Sequence, residues 1–287
     1  MAIEIGIVFG ILAMLGWGTA DFFAAKYVKR LKSERLYFWV QLSGLAPMLL
    51  LSIFFFGVPV LSPVFLILLL SAALLTLLEY VFLYKSFESG KVSLVTPIAS
   101  SYPILTILLS IIFLHEILSF FQMVSVVLIL IGIVTVSLNM GEIKKMRIAA
   151  STRGLDYAFL SLLASSILFT ILGFLVKELG WFMPIFLMKI FVVIYMFSYL
   201  TVKGREITFS GNGIKLFVVL IGFLEVFAYL MYGLGAFTFL NSIVVPISAT
   251  YPLVTIILAR VFFREKILRT QWLGIFSIII GIFIVSI

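Results

Sequence analysis

Two acidic residues stand inside long apolar stretches of the sequence. Glu79 follows LLTLL, and Glu225 lies near the middle of IGFLEVFAYL. A charged group at the centre of a bilayer costs at least about 2.5–3.5 kcal/mol, so it normally faces a cavity or a partner. Such a carboxyl can carry a proton or bind a cationic group. The alternative is a structural ion pair, between Glu225 and Lys189 or between Glu79 and Lys85, although six residues is a poor helical spacing for the second pair.

Aromatic side chains accompany these acids. Tyr80 and Tyr84 lie within about one helical turn of Glu79, as Tyr229 does of Glu225. Tyrosine beside carboxylate can form a cage for an organic cation. We therefore include Tyr232 and Trp17, which ends the first apolar run, among the candidates. Anchoring at the membrane interface is an equally good explanation for the four tryptophans, Trp17, Trp39, Trp181 and Trp272.

Two pairs of prolines repeat with the same six-residue spacing. Pro97 and Pro103 form the first pair, and Pro246 and Pro252 form the second. Each proline removes a backbone donor and frees a carbonyl one turn earlier, which kinks or opens a helix. Hydroxyl and amide side chains cluster around both pairs: Ser93, Thr96, Ser100, Ser101 and Tyr102, then Asn241, Ser242, Ser248, Thr250 and Tyr251. We expect these groups to line a cavity; the alternative is packing kinks whose hydroxyls bond to their own helix.

The predicted site combines these groups. The substrate-binding residues are Trp17, Glu79, Tyr80, Tyr84, Thr96, Ser100, Ser101, Tyr102, Glu225, Tyr229, Tyr232, Ser248, Thr250 and Tyr251. The helix-kink residues are Pro97, Pro103, Pro246 and Pro252. At span ends, Glu116 and Glu265 are expected to cap the helix that follows each of them, and His115 is not expected to relay protons.

No catalytic pattern is present in the sequence. It contains no nucleophile–base arrangement, phosphate loop or metal spacing, and it has no cysteine and one histidine. These absences exclude a disulfide framework and a thiolate metal centre. We predict neither an enzyme, nor a cofactor, nor a metal site.

The composition shows which elements must hold these residues. Hydrophobic residues make up 64% of the 287 residues and charged residues 11%. Apolar runs near 20 residues long are the mark of membrane spans, and they lack the alternation of barrel strands. We predict an all-α integral membrane protein with ten transmembrane helices. The predicted spans are 3–23, 35–56, 63–86, 92–114, 120–139, 154–176, 181–202, 213–237, 243–263 and 270–286.

The sequence contains an internal duplication. An offset of 149 residues aligns Pro97 with Pro246, and it also matches Tyr102 with Tyr251 and Glu116 with Glu265. We predict a first five-span repeat at 1–140, a central linker at 141–153 and a second repeat at 154–287. Five is an odd number, so the second copy enters the membrane from the opposite side. Inverted repeats of this kind are a transporter architecture.

Positive charges predict the orientation. Of the 20 Lys and Arg residues, all except Lys177 and Lys189 fall in the connections between spans 1 and 2, 3 and 4, 5 and 6, 7 and 8, and 9 and 10. Basic connections stay in the cytoplasm, which predicts that both termini lie outside.

Several segments resemble a known family. These are Trp17-Gly18 followed by FFAAK at 22–26, SLVTPIASSYPILT at 93–106 with HE at 115–116, and the second-copy counterparts SIVVPISATYPLVT at 242–255 and REK at 264–266. The chain resembles the EamA-like branch of the drug/metabolite transporter superfamily over essentially its whole length. The resemblance implies transport of metabolites without ATP. It also implies cytoplasmic termini, against the charge count.

The sequence therefore predicts a secondary active transporter, working by alternating access around a cavity between spans 3, 4, 8 and 9. The expected substrate is a small polar or cationic metabolite, an amino acid or a drug-like amine, with proton coupling or exchange. The alternatives are a passive channel or lipid scramblase and, less favoured, a membrane enzyme acting on lipid. The expected partners are a small-molecule substrate and the bilayer of the cell membrane, without nucleic acid, in a monomer or homodimer.

Overall fold

The computed structural model describes residues 2–31, 33–55, 61–89, 92–137, 154–205, 207–208, 212–263 and 268–285. Across these ranges the backbone forms twelve α-helices and no β-strand. The helices are α1 (Ala2–Leu31), α2 (Ser33–Phe55), α3 (Pro63–Ser89), α4 (Val92–Ala99), α5 (Tyr102–Phe113), α6 (Phe120–Ser137), α7 (Leu155–Leu179), α8 (Met183–Val202), α9 (Asn212–Thr238), α10 (Asn241–Ser248), α11 (Tyr251–Phe263) and α12 (Arg269–Val285).

The helices have the length and composition of membrane spans. Eight stretches of the described chain are long and apolar enough to cross a bilayer: one each in α1, α2, α3, α6, α7, α8 and α9, and one running through α10 and α11. Two shorter apolar helices, α5 and α12, accompany them. Large apolar side chains cover the outside of the bundle, and Ile53, Phe120, Leu216 and Phe283 are 66–75% exposed. The prediction of an all-helical, multi-pass membrane protein is confirmed.

Two of the predicted spans are each divided into two short helices. Ser100 and Ser101 form the turn between α4 and α5, and Ala249 and Thr250 form the turn between α10 and α11. Each turn lies between the two prolines of a pair. Pro103 and Pro252 are the second residues of α5 and α11, where a missing backbone donor is tolerated because the first turn of a helix has no partner for it.

Three helix pairs form the longest packing interfaces. α1 packs along α9, α3 packs along α7, and α6 packs along α12. Glycine permits the last of these contacts, because a Cβ atom placed on Gly132 would lie 2.8 Å from the carbonyl oxygen of Gly274. The α1–α9 and α3–α7 pairs join the first part of the sequence to the second, so the two parts form one bundle.

The helices extend beyond the predicted spans at several ends. α1 continues to Leu31, although the predicted first span ends at residue 23. An apolar run measures the part of a helix that lies in lipid, and a helix can continue into water with charged residues. Asp21 therefore lies well inside α1 rather than at its end.

Candidate functional site

The helices line a cavity of about 230 Å³. Its wall repeats one helical pattern. Residues 17, 20, 21 and 24 of α1 and residues 76, 79, 80 and 83 of α3 have the i, i+3, i+4, i+7 spacing of a single helix face. The full lining is Trp17, Ala20, Asp21, Ala24, Leu36, Tyr37, Val40, Thr76, Glu79, Tyr80, Leu83, Tyr84, Tyr102, Phe169, Ile221, Glu225, Tyr229 and Tyr251.

The cavity is displaced toward one end of the bundle. It is lined by the second halves of α1 and α3 and by the first half of α2. These helix ends lead into two of the basic connections, which together carry 7 of the 20 Lys and Arg residues. The cavity therefore lies between the middle of the bundle and its basic end.

Three carboxylates line the cavity, from three different helices. Asp21 comes from α1, Glu79 from α3 and Glu225 from α9. Glu225 forms an ion pair with Lys189 at 2.8 Å. Within the described part of the chain, no Lys or Arg forms a salt bridge with Asp21 or Glu79. The cavity wall thus carries more negative than positive charge.

Lys189 is held by a small buried network behind the cavity wall. Its ammonium donates to Glu225 Oε1 at 2.8 Å and to the side-chain oxygen of Gln41. Gln41 Nε2 donates to the same Glu225 oxygen at 2.7 Å. The ammonium also lies 4.3 Å from the centre of the Tyr229 ring. Lys189 has no exposed surface, so these contacts replace its hydration.

Aromatic rings make up much of the remaining wall. Trp17 contacts Tyr229 edge to face, with ring centroids 5.1 Å apart, and Phe169 at 5.9 Å. Tyr37 stacks on Tyr80 at 4.1 Å. These contacts fix the orientation of the rings. An aromatic face attracts a cation, so the rings and the carboxylates favour the same kind of ligand.

The opposite end of the bundle is closed by Glu116. Its carboxylate accepts the backbone N–H groups of Asn241 at 2.7 Å and Ser242 at 2.8 Å, at the beginning of α10. Lys177 approaches the same carboxylate at 3.3 Å. Glu116 was predicted to cap the helix that follows it. The capping role is confirmed, but the predicted helix is wrong, because the turn after α5 directs the carboxylate to α10, whose free N–H groups it satisfies.

A second layer of hydrogen bonds lies beneath this cap. The Asn241 amide donates to Ser110 Oγ at 3.0 Å and to the Phe169 carbonyl at 3.2 Å. The Tyr232 hydroxyl donates to Asn241 Oδ1 at 2.7 Å. Phe169 also lines the cavity. This residue therefore contacts the cavity and, through its carbonyl, the hydrogen bonds of the closed end.

The structure brings eight of the predicted binding residues together at the cavity. They are Trp17, Glu79, Tyr80, Tyr84, Tyr102, Glu225, Tyr229 and Tyr251. Six others lie off its wall: Thr96, Ser100, Ser101, Tyr232, Ser248 and Thr250. The predicted cavity between spans 3, 4, 8 and 9 is also too narrow a description, because α1, α2 and α7 contribute to the wall.

Three of the hydroxyl groups near the prolines bond away from the cavity. Ser248 donates to the Val245 carbonyl at 3.0 Å, and Thr250 donates to the Ile247 carbonyl at 2.6 Å. Ser100 lies 3.3 Å from the Ser137 hydroxyl of α6. A short hydroxyl side chain reaches its own backbone or an adjacent helix more easily than the centre of the bundle. These three hydroxyl groups are therefore satisfied locally, as the alternative interpretation held for Ser248 and Thr250.

Neither Lys85 nor His115 lines the cavity. Lys85 lies 5.6 Å from the centre of the Tyr157 ring and forms no ion pair with Glu79. His115 is exposed in the turn after α5, with a positive φ of 53°. Glu265 lies outside the described residues.

Sequence reasoning did not select four residues that carry side-chain chemistry at the cavity: Asp21, Tyr37, Thr76 and Phe169. Asp21 had a usable signal, because it is an acid within an apolar run and follows Trp17 by one helical turn. Thr76 is one turn before Tyr80. Tyr37 lies at the edge of its predicted span, and Phe169 is one of 30 phenylalanines, so neither had a signal of its own.

A bundle of apolar helices around an acidic, aromatic cavity defines a multi-pass membrane protein with an internal compartment the size of a small solute. A model of the EamA-like transporter family matches residues 4–138 and again residues 152–287. The chain therefore belongs to the EamA-like transporter family, and it is a membrane transporter of the drug/metabolite type.

The chain is also similar to two other proteins. A protein of Methanocaldococcus jannaschii, described as uncharacterised, is 30% identical over 138 residues, which are 47% of this chain and 98% of that protein. A solved crystal structure of a protein superposes with a TM-score of 0.79 over 98% of each chain, at 14% identity. The second likeness shows the fold alone.

Proposed function

We propose that this protein is a secondary active transporter of a small polar or cationic metabolite that carries an amine. The observation that carries the proposal is the cavity, where Asp21 and Glu79 add two carboxylates to a wall of aromatic rings. An ammonium group would find a carboxylate partner and an aromatic face at the same place. The surroundings of Lys189 support this chemistry, because its ammonium contacts both a carboxylate, Glu225, and an aromatic face, Tyr229.

Alternating access is the proposed mechanism, and the duplication supports it. The family model matches twice along the chain. In a ten-span numbering, α1–α9 is the contact of spans 1 and 8, and α3–α7 is the contact of spans 3 and 6. Span 1 corresponds to span 6 of the second half, and span 3 corresponds to span 8. The contact of spans 1 and 8 is therefore the symmetry mate of the contact of spans 6 and 3, as a two-fold axis in the membrane plane requires. Spans 5 and 10 correspond to each other, so the α6–α12 contact is its own symmetry mate.

The proposed state of the structure is open toward the cytoplasm. The cavity lies near the basic end of the bundle, and basic connections stay on the cytoplasmic side of the cell membrane. The Glu116–Asn241 contact closes the outer end. During a transport cycle this contact would break when the opposite end closes, and the substrate would leave or enter from outside.

Coupling is proposed to arise by competition for the cavity carboxylates. A carboxylate holds either a proton or an ammonium group, so binding of one releases the other. A proton gradient would then drive transport of the substrate across the membrane, or a second amine would be exchanged for the substrate.

Reconstitution tests the proposal. Purified protein is reconstituted in liposomes that are loaded with one unlabelled amine from a panel. The initial rate at which a labelled amine exchanges into them is measured as a function of its concentration, and a saturable rate is expected. We expect Asp21→Asn and Glu79→Gln each to lower the flux at least about tenfold, since a hydrogen bond to a charged group is worth about 1.5–3 kcal/mol. Glu225→Gln should also change the response to a pH gradient.

Asp156→Asn is the matched control, because Asp156 is an exposed acid in the first turn of α7, away from the cavity. The proposal fails if no amine shows saturable exchange, or if the cavity variants behave like Asp156→Asn. Flux that does not saturate would instead identify a passive channel.

A further inference from the structure

The net charge of the cavity depends on the ion pair between Lys189 and Glu225. Three carboxylates line the wall, and Lys189 is bound to only one of them, Glu225. The carboxylates of Asp21 and Glu79 face the same space without an ion-pair partner among the described residues. Unmatched charges in a site of low polarity are costly, and a ligand of opposite charge relieves that cost.

We infer that the cavity takes a substrate with two ammonium groups, a short-chain diamine, and that Lys189 is the residue that sets this selectivity. The inference rests on the proposed function and narrows its substrate class. By neutralising Glu225, Lys189 leaves two carboxylates, Asp21 and Glu79, for the substrate. A substrate with one ammonium group would leave one of these two unmatched.

Lys189 shows what an ammonium needs in this wall. It has a carboxylate oxygen at 2.8 Å, the side-chain oxygen of Gln41 and the face of Tyr229 at 4.3 Å. Polar and aromatic groups also share a helix face with each of the other two acids. Trp17 lies one turn from Asp21 on α1, and Thr76 and Tyr80 adjoin Glu79 on the cavity face of α3. Asp21 and Glu79, which form no ion pair with a described residue, come from different helices, which suits two separate charged ends.

The size of the cavity favours a short substrate. A volume of about 230 Å³ is below the roughly 300–1,000 Å³ that is typical of sites for drug-sized ligands. A diamine with a chain of four carbons fits within it. The stacked rings of Tyr37 and Tyr80 provide an apolar surface for the methylene groups between the charged ends.

The test compares 1,4-diaminobutane with 1-aminobutane, which share chain length and differ in one amine. In liposomes containing the intact protein, we expect unlabelled diamine to compete with labelled 1,4-diaminobutane at least about tenfold more strongly than 1-aminobutane does. Asp21→Asn and Glu79→Gln should each remove this preference, and Asp156→Asn should keep it. Equal or stronger competition by 1-aminobutane in the unmodified protein would overturn the inference while leaving the proposed function standing.

A charge-balanced pair of variants tests the role of Lys189. Glu225→Gln leaves the Lys189 ammonium unmatched, so the cavity keeps one net negative charge and the diamine preference should fall. Adding Lys189→Met restores two net negative charges, so the double variant should recover the preference ratio even if its flux is low. An unchanged ratio in Glu225→Gln, or no recovery in the double variant, would show that Lys189 does not set the selectivity. Loss of exchange for every amine, with exchange of other solutes retained, would instead refute the proposed function.

Discussion

The carboxylate of Glu116 caps α10 by accepting the backbone N–H of Asn241 at 2.7 Å. The two residues belong to different copies of the family match, 4–138 and 152–287. Glu116 is only 5% exposed, and Asn241 is fully buried. A strong charge-assisted contact thus holds the two copies together at the end of the bundle opposite the cavity.

Replacing Glu116 should loosen this closed end. Glu116→Ala removes both acceptors of the α10 cap, and loss of a helix cap typically costs about 0.5–2 kcal/mol. The chain has no cysteine, so a single Ile243→Cys, buried beside the cap, can report access of a water-soluble thiol reagent. We expect labelling to accelerate by about tenfold, which corresponds to about 1.4 kcal/mol.

Glu178→Ala is the control for this experiment, since Glu178 is an exposed acid near Lys177 at the end of α7. Labelling of Ile243→Cys should be unchanged in that background. Equal labelling with and without Glu116 would mean that the cap does not hold the end closed.

Lys189 and Glu225 should show strong energetic coupling. Breaking a buried pair by removing one partner costs about 3–5 kcal/mol, because the other charge is left buried and unpaired. Lys189→Met should therefore lower the unfolding temperature in detergent by more than Lys189→Met combined with Glu225→Met. If the two single changes add in the double variant, the pair is not coupled.

Gly18 should tolerate no larger side chain. A Cβ atom at this position would lie 2.5 Å from the Tyr251 carbonyl oxygen and 2.5 Å from Val254 Cβ, so α1 and α11 would have to separate. Overpacking of this kind costs about 1–3 kcal/mol. Gly18→Val should lower the unfolding temperature in detergent, whereas Leu15→Val, at a lipid-exposed position of the same helix, should change it little.

Trp17 should contribute to cation binding through its ring. A cation–π contact is worth about 0.5–2 kcal/mol, so Trp17→Leu should weaken amine competition by about 2- to 30-fold. Trp17→Phe keeps an aromatic face and should lose less. Trp272→Leu removes an exposed tryptophan of α12 and should leave competition unchanged. A larger effect from Trp272 than from Trp17 would contradict the location of the site.

Elements that depend on local chemistry were predictable from the sequence. Runs of apolar residues mark where a helix meets lipid. The described part of each predicted span overlaps one helix or a pair of short helices, and eight such stretches are long and apolar enough to cross a bilayer. The proline pairs indicate where the helix must break, and the breaks occur at Ser100–Ser101 and Ala249–Thr250. Both signals act within a few residues of chain, so no knowledge of neighbouring helices is needed.

The cavity depends on how the helices assemble, and the sequence alone does not give this. Ser248 and Asp21 are both polar residues in apolar surroundings, yet the first bonds to its own helix and the second faces the cavity. Glu116 caps a helix about 125 residues away along the chain. The spacing of residues gives the face of a helix but not the helix against which that face packs.

The Lys189–Glu225 pair also has a consequence for the way the chain enters the bilayer. Each residue lies inside an apolar helix, and α8 and α9 are consecutive along the chain. Inserted alone, α8 would expose Lys189 to lipid at a cost of about 2.5–3.5 kcal/mol. If α8 and α9 insert as a hairpin, Lys189 and Glu225 can form their ion pair before either side chain enters the hydrocarbon. We therefore expect α8 and α9 to insert into the bilayer together.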